Sequence, residues 1–323
     1  MKYRTLTGTG AKVSRICLGT MTFGGQTNES DSIEIINRAL DAGVNFIDTA
    51  DIYNQGGSET ILGKALKGKR DGLILASKVR WQVGPHKDKD VGLTRWHISR
   101  GVEASLKRLN TDCLDICYLH TPDCDTPLEE SLAAADQLVR DGKVIYIGMS
   151  NYAAWQVCQA LWICHRNNLH APVVTQCVYN LLTRGIEQEF IPFCRTLGVG
   201  VTVYNPVGSG ILTGKHDFSK APADGTRFAI NKEYYGRYWH ESNFEAVAEL
   251  TEIARQAGIS LTALALQWLA AQDAVDSIII GVSKLEQLEE DLSAWDGELD
   301  DETLKACDRV WQKLRGDVFQ YNR

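Results

Sequence analysis

The sequence predicts an α/β protein built as a closed barrel of eight strand–helix units, (β/α)8, and three observations lead there. Short apolar runs alternate with longer stretches of helical period along nearly all of the 323 residues. Most of the runs end on polar residues, as barrel strands do where they enter their loops. The first run leads into Gly19-Thr20-Met21-Thr22-Phe23-Gly24-Gly25, which does not fit the G-x-G-x-x-G turn of an open dinucleotide-binding sheet. Barrels of this class run to about 200–250 residues and grow by insertion, so one domain spanning 1–323 is expected.

In order, residues 3–6 and 12–14 frame Thr7-Gly8-Thr9-Gly10 as a β-hairpin. The barrel strands are expected at 16–19, 45–48, 73–78, 113–120, 144–150, 173–176, 200–204 and 277–281. Amphipathic helices fall between them at 31–42, 58–66, 96–109, 128–141, 153–168, 186–197 and 261–271. Helix punctuation supports the assignment: Ser58 with Glu59 in a first turn, Thr126-Pro127 before Leu128, and Gly43, Gly142 and Gly198 after last turns. A long insertion at about 208–242 follows strand seven, and two extra helices, near 284–292 and 300–314, follow strand eight. These are placed to cover the barrel mouth.

A formal charge of −7 and a pI near 5.6 give no basic footprint for nucleic acid or an anionic membrane. An anionic ligand would need a local cationic pocket. The nine cysteines are an odd number scattered through apolar segments, so a reducing compartment is expected rather than a disulfide framework. The N-terminus lacks the apolar core of a signal peptide, and no stretch approaches the roughly 18 apolar residues of a membrane span. A cytoplasmic location is expected.

In a barrel, chemistry collects at the C-terminal strand ends, which here carry Asp48, Lys78, His120, Ser150-Asn151, Gln176 and Tyr204-Asn205. Singly, each has an ordinary explanation: a turn cap, a solvated strand end, a core histidine. Together, three consecutive strands ending in Asp, Lys and His, with Tyr53 five residues past the Asp, bring acid, amine, imidazole and phenol to one rim. A phenol with an ordinary pKa of about 10 exchanges protons poorly at neutral pH, but an adjacent ammonium stabilises its phenolate. Lys78 would supply that ammonium, Asp48 would hold it charged, and His120 would orient a substrate carbonyl. Cys113, Cys117 and His120 do not share one strand face, and no metal site is expected.

These residues resemble the aldo-keto reductases over essentially the full length. The segment Asn45-Phe46-Ile47-Asp48-Thr49-Ala50-Asp51-Ile52-Tyr53 is similar to the family's first signature, and Asp48, Tyr53, Lys78 and His120 fall on its catalytic tetrad. The resemblance implies a TIM barrel, a nicotinamide cofactor bound without a Rossmann domain, and Tyr53 as the acid in reduction. It implies that Ser150, Asn151 and Gln176 contact the carboxamide and that Tyr204 stacks on the nicotinamide. Asn205, Pro206, Gly208, Gly210, Leu212 and Lys215 belong to a segment that resembles the loop over the cofactor pyrophosphate. Gly281, Ser283, Gln287, Glu290 and Asp291 match the adenosine-phosphate segment, where the more common pattern has an arginine near Ser283 or Gln287 and an asparagine at Asp291.

Within the family the chain is similar to the aflatoxin aldehyde reductase and succinic semialdehyde reductase branch, through Ser150-Asn151-Tyr152-Ala153-Ala154-Trp155, Arg237-Tyr238-Trp239 and Tyr321-Asn322-Arg323. That branch implies NADPH, with NADH as the other option, Arg227 on the cofactor phosphate, and homodimers. It implies aldehydes bearing a carboxylate, or dialdehydes, held by Tyr234, Arg237 and Arg323, since a guanidinium grips a carboxylate through two parallel hydrogen bonds. Met21, in the loop after the first strand, is also expected to touch substrate, and Phe23, Trp81, Tyr234 and Trp239 are the aromatics available for the mouth. Two other functions fit the residues: reduction of a keto-sugar intermediate, and a cofactor-sensing subunit like those attached to some potassium channels.

Overall fold

The computed structural model describes residues 1–317. It opens with the hairpin of β1 (Tyr3–Thr5) and β2 (Lys12–Ser14). Eight parallel strands follow: β3 (Ile16–Gly19), β4 (Phe46–Asp48), β5 (Ile74–Val79), β6 (Leu114–Leu119), β7 (Val144–Ser150), β8 (Val174–Val178), β9 (Gly200–Tyr204) and β10 (Ser277–Gly281). They close in the order β10-β3-β4-β5-β6-β7-β8-β9, the (β/α)8 TIM barrel expected.

The alternation of strand side chains fills the interior. Cys17, Phe46, Ala76, Ile116, Tyr118, Val174 and Ile279 pack together, and Leu6 and Val13 of the hairpin join them. Two residues further along the same strands, the inward positions turn polar: Asp48 above Phe46, Lys78 above Ala76, His120 above Tyr118 and Gln176 above Val174. A largely apolar layer thus lies directly beneath the polar strand ends. Gly148 is a glycine because a β-carbon there would fall 2.4 Å from the Tyr118 ring.

Helices α1 (Glu29–Asp41), α2 (Gly57–Ala65), α3 (Arg95–Leu109), α4 (Leu128–Arg140), α5 (Ala154–Asn167) and α6 (Phe190–Leu197) alternate with these strands. Asn28 and Thr94 accept backbone amides as N-caps of α1 and α3, satisfying donors that a helix start leaves orphaned. Two expectations change. The 186–197 helix begins at Phe190, because a separate 3-10 turn occupies Gly185–Glu187. The helix expected at 58–66 begins one residue earlier, at Gly57 behind the left-handed Gly56, with Ser58 and Glu59 in its first turn as expected and both buried.

The chain divides into two compact units. The first comprises Met1–Cys177, Glu187–Tyr204 and Ala274–Glu289, and the second Val178–Ile186, Asn205–Asp273 and the described residues from Glu290 onward. The second contains a 3-10 turn (Gly208–Thr213), α7 (Arg227–Ile230), α8 (Lys232–Tyr238), α9 (Glu241–Gln256), α10 (Leu261–Ala270) and α12 (Asp301–Arg315). Between them, α11 (Leu285–Ala294) crosses the boundary in sequence. Helix α9 lies in a stretch given no helix from sequence, yet Ala246, Val247, Leu250 and Ala254 bury one face at helical spacing. Trp239 is the hub of an aromatic cluster, with Phe228, Phe244 and His216 against its ring at 5.3, 5.0 and 5.6 Å, so it packs in the insertion's core. Phe23 is fully buried as well.

All nine cysteines are free thiols. No helix among the described residues is long and apolar enough to cross a membrane.

Candidate active site

Lys78 organises the strand ends. Its ammonium is buried and donates to three acceptors: Asp48 Oδ1 at 2.5 Å, the Thr49 carbonyl at 2.8 Å and the Tyr53 hydroxyl at 3.2 Å. An ammonium has three N–H groups, so every donor is spent. Burial opposes its charge, but Asp48 and Tyr53 outweigh that, and the Lys78 pKa stands above its ordinary value. The other oxygen of Asp48 accepts from Gln176 Nε2 at 2.8 Å, which fixes the carboxylate from the far side of the barrel.

Tyr53 reaches this cluster because the loop after β4 is laced to β5. The Thr49 and Asp51 amides donate to the carbonyls of Ala76 and Lys78. A 3-10 turn over Tyr53–Gly56 then places Asn54 and Gln55 in the left-handed region, and Asn54 Nδ2 donates to the carbonyls of Met21 and Phe23. Met21 therefore lies beside the Tyr53 turn.

His120 sets its ring edge-on to Tyr53, with centroids 6.1 Å apart. Burial, then the charges of Lys78 and Arg80, hold its pKa well below the ordinary value. The imidazole is neutral at physiological pH, and its buried Nδ1 has no hydrogen-bond partner. Its carbonyl accepts from Asn151 Nδ2 at 3.1 Å, and Asn151 Oδ1 accepts from the Tyr204 hydroxyl at 2.8 Å. Asn151 adopts a left-handed backbone (φ 63°), a conformation asparagine tolerates better than most residues, and Ser150 beside it is buried. The first unit thus gathers the tetrad with Ser150, Asn151, Gln176 and Tyr204. In the same unit, the Ser283 amide and hydroxyl both donate to Gln287 Oε1 at 2.8 and 3.1 Å, with the exposed Gly281 just ahead.

The second unit contains the other predicted contacts. Asn205, Gly208, Ser209 and Gly210 all have positive φ, and the amide and hydroxyl of Ser209 donate to Asn205 Oδ1. The loop's amides are spent within it: those of Gly208 and Ser209 donate to the Asn205 carbonyl and Oδ1, and those of Gly210 and Leu212 to the Val207 carbonyl. Lys215 arches over it, so that a β-carbon on Gly210 would meet the lysine's end at 3.4 Å. Pro206 and Leu212 are buried beneath. For a diphosphate the loop offers the Lys215 side chain and a backbone without β-carbons at Gly208 and Gly210. The Arg227 and Arg237 guanidiniums both lie over the Tyr234 ring, at 5.3 and 5.6 Å, concentrating positive charge on one surface. Burial and the neighbouring Glu290 push Asp291 up to about 7. Arg323 lies outside the described residues.

Sequence inspection missed a second buried charged group. Glu59 accepts from Ser77 Oγ at 2.5 Å and from Arg108 Nε at 2.7 Å. Near it Asp51 is buried with neither carboxyl oxygen in a well-formed hydrogen bond, and burial followed by the Glu59 charge pushes its pKa well above the ordinary value. Sequence gave no sign of the Arg108 partner, 49 residues away. Among the described residues, no group of His, Cys, Asp or Glu is arranged to hold a metal ion.

Residues 15–312 match the aldo/keto reductase family. The chain is 37% identical over 303 residues to a protein of Oryza sativa subsp. japonica described as a probable voltage-gated potassium channel subunit beta, with 92% of each covered. It is 36% identical over 323 residues to aflatoxin B1 aldehyde reductase member 2 of Mus musculus, covering 95% of this chain and 87% of that one. An uncharacterized oxidoreductase of Bacillus subtilis is 36% identical over 328 residues, with 98% of both covered. By sequence, and with the closed eight-stranded barrel, the chain belongs to the aldo/keto reductase family of NAD(P)H-dependent oxidoreductases.

Proposed function

We propose that the protein reduces an aldehyde or ketone to an alcohol with NADPH, that Tyr53 gives the proton, and that the preferred substrates are aldehydes bearing a carboxylate, or dialdehydes. The observation that carries this is the Lys78 ammonium hydrogen-bonded at once to Asp48 and Tyr53. When bound, the cofactor supplies hydride to the carbonyl carbon. The carbonyl oxygen takes a proton from Tyr53, and the ammonium stabilises the phenolate left behind. Asp48 and Gln176 keep that ammonium in place. His120, neutral and in a desolvated position, orients the carbonyl by a hydrogen bond from its ring without competing as an acid.

For the cofactor, Asn151, Ser150 and Gln176 take the carboxamide and Tyr204 the nicotinamide face. In the second unit the Asn205–Lys215 loop, with Pro206, Gly208, Gly210 and Leu212, would hold the diphosphate, and Arg227 the additional phosphate of NADPH. Gly281, Ser283, Gln287, Glu290 and Asp291 line the adenosine. The family resemblance implies that Tyr234, Arg237 and Arg323 would grip a substrate carboxylate; in the first unit Met21, whose carbonyl accepts from Asn54 of the Tyr53 turn, would touch substrate. The cationic pair over Tyr234 supports this in a protein whose net charge of −7 otherwise repels small anions.

The test follows loss of reduced-nicotinamide absorbance with NADPH and NADH against a panel of carboxylate-bearing and uncharged aldehydes, ketones and keto-sugars. NADPH oxidation fastest with a carboxylate-bearing aldehyde, and equal to alcohol formed, is expected. A second reading, a subunit that binds cofactor to report on it, is favoured by the potassium-channel names of relatives 36–37% identical. Tight cofactor binding with no turnover of any carbonyl would support it.

A further inference from the structure

The period-two geometry that stacks Lys78 above Ala76 continues one step past the end of β5. Val79 points outward, since a β-carbon at Gly101 of α3 would fall 2.9 Å from its Cγ2. Arg80 therefore turns to the side of the strand that Lys78 occupies. Its surroundings agree. The His120 amide donates to the carbonyl of Val79, the residue before Arg80, at 3.2 Å, and the Arg80 guanidinium lies 4.5 Å from the centroid of the half-exposed Trp81 ring.

Arg80 has a counter-charge but has not spent its donors on it. Its Nη2 is 3.8 Å from Asp123 Oδ1, in the loop just after His120, which is an ion pair too long to be a hydrogen bond. Asp123 is occupied by others: Oδ2 accepts from the Leu93 amide at 2.6 Å and the Thr126 hydroxyl at 2.8 Å, and Oδ1 accepts from the Asp125 amide at 3.3 Å. The buried Arg80 Nε has no hydrogen-bond partner. Asp123 thus holds the guanidinium in position by charge. A planar fork of five N–H donors backed by an aromatic face is the arrangement that receives a carboxylate through two parallel hydrogen bonds. Lys78 cannot serve, because its three donors are committed.

We propose that Arg80 anchors a carboxylate-binding subsite in the first unit, next to His120, which receives the acid group of a substrate whose carbonyl Tyr53 and His120 hold. This rests on the carbonyl-reductase reading and, for short aldehydes, puts Arg80 in place of Tyr234, Arg237 and Arg323 as the group that holds the carboxylate. It makes Arg80 a specificity-determining residue for short aldehydes that end in a carboxylate. The competing role, a guanidinium that only braces Trp81 and the Asp123 loop, would affect all substrates alike.

The experiment compares kcat/KM for succinic semialdehyde and for butanal at saturating NADPH in wild type, Arg80→Gln, Arg80→Lys and Arg80→Met. Arg80→Met keeps an unbranched stem against Trp81. Circular dichroism and cofactor affinity confirm that each variant is folded. Loss of a charge-assisted bidentate contact lowers kcat/KM for succinic semialdehyde by about 10–100-fold, chiefly through KM. Butanal stays within about twofold, and Arg80→Lys recovers part of the loss. Equal losses on both substrates, no loss on either, or wild type that reduces butanal but not succinic semialdehyde overturns the proposal while leaving carbonyl reduction intact. Wild type that reduces no carbonyl compound at all overturns both.

Discussion

Replacing Asp48 by asparagine leaves the Lys78 ammonium buried without its counter-charge, and the consequence can be worked from the contacts. Lys78 is 1% exposed and Asp48 is 2% exposed, so water compensates neither. An asparagine keeps one acceptor, but it turns an N–H2 group toward Gln176 Nε2, which now donates to Asp48 at 2.8 Å. One hydrogen bond is replaced by two opposed donors. Breaking a buried pair by neutralising one partner costs about 3–5 kcal/mol. With the carboxylate gone, burial dominates at Lys78 and its pKa falls, so the charge that stabilises the Tyr53 phenolate weakens. A loss of about 10²–10⁴ in kcat is expected, the range for disabled acid–base catalysis. Lys78→Met leaves the opposite charge stranded and has a similar stability cost. The double variant, Asp48→Asn with Lys78→Met, strands neither, so it should be more stable than the two single losses added together, by about 1–3 kcal/mol of coupling. Urea denaturation of the four proteins measures this cycle. Strict additivity, or an Asp48→Asn enzyme with wild-type kcat, would refute the reasoning.

Other perturbations test separate parts of the molecule. Tyr238→Phe removes a buried hydroxyl that accepts from Asn180 Nδ2 and Asn205 Nδ2, both at 3.0 Å; stranding these amides should cost about 1–3 kcal/mol and loosen the Asn205 loop, raising the cofactor Kd in a fluorescence titration. Gly148→Ala places a β-carbon 2.4 Å from the Tyr118 ring, and calorimetry should show destabilisation of about 1–3 kcal/mol. Asp51→Asn should stabilise the protein at neutral pH. A carboxyl whose folded pKa is raised makes the native state bind the extra proton, so stability falls as pH climbs from about 4, the unfolded value, through the raised folded value. The wild type loses melting temperature across that window relative to the variant, and parallel melting curves from pH 4 to 8 would count against the assignment.

Local pattern made the barrel legible. The runs at 16–19, 144–150, 200–204 and 277–281 coincide with β3, β7, β9 and β10, because a buried strand is short, apolar and punctuated. The convergence of Asp48, Tyr53, Lys78 and His120 was legible because strand ends in a barrel meet wherever the chain places them. Helix α9 carried its own signal in the spacing of Ala246, Val247, Leu250 and Ala254, overlooked because it adjoins an insertion. Arg80 was findable too, since it follows Lys78 at the strand's period. The setting of Glu59 was not: acid in a first helical turn is favoured by the helix dipole, so the sequence offered a sufficient local reason, and the burial against Arg108 and Ser77 exists only in the folded chain.

The distribution of thiols gives the protein a practical property. Burial pushes Cys117 and Cys307 up to about 12 and Cys164 and Cys194 to about 11, and a thiol that stays protonated reacts slowly with electrophiles. Cys124 and Cys158 are the exposed pair. Maleimide labelling therefore favours these two, with the half-buried Cys113, its thiol also pushed up by burial, reacting more slowly. A fluorophore on Cys124 sits one residue from Asp123, the counter-charge of Arg80, and on an enzyme with Cys158→Ser it tests whether a carboxylate arrives there while leaving Tyr53, Lys78 and His120 untouched.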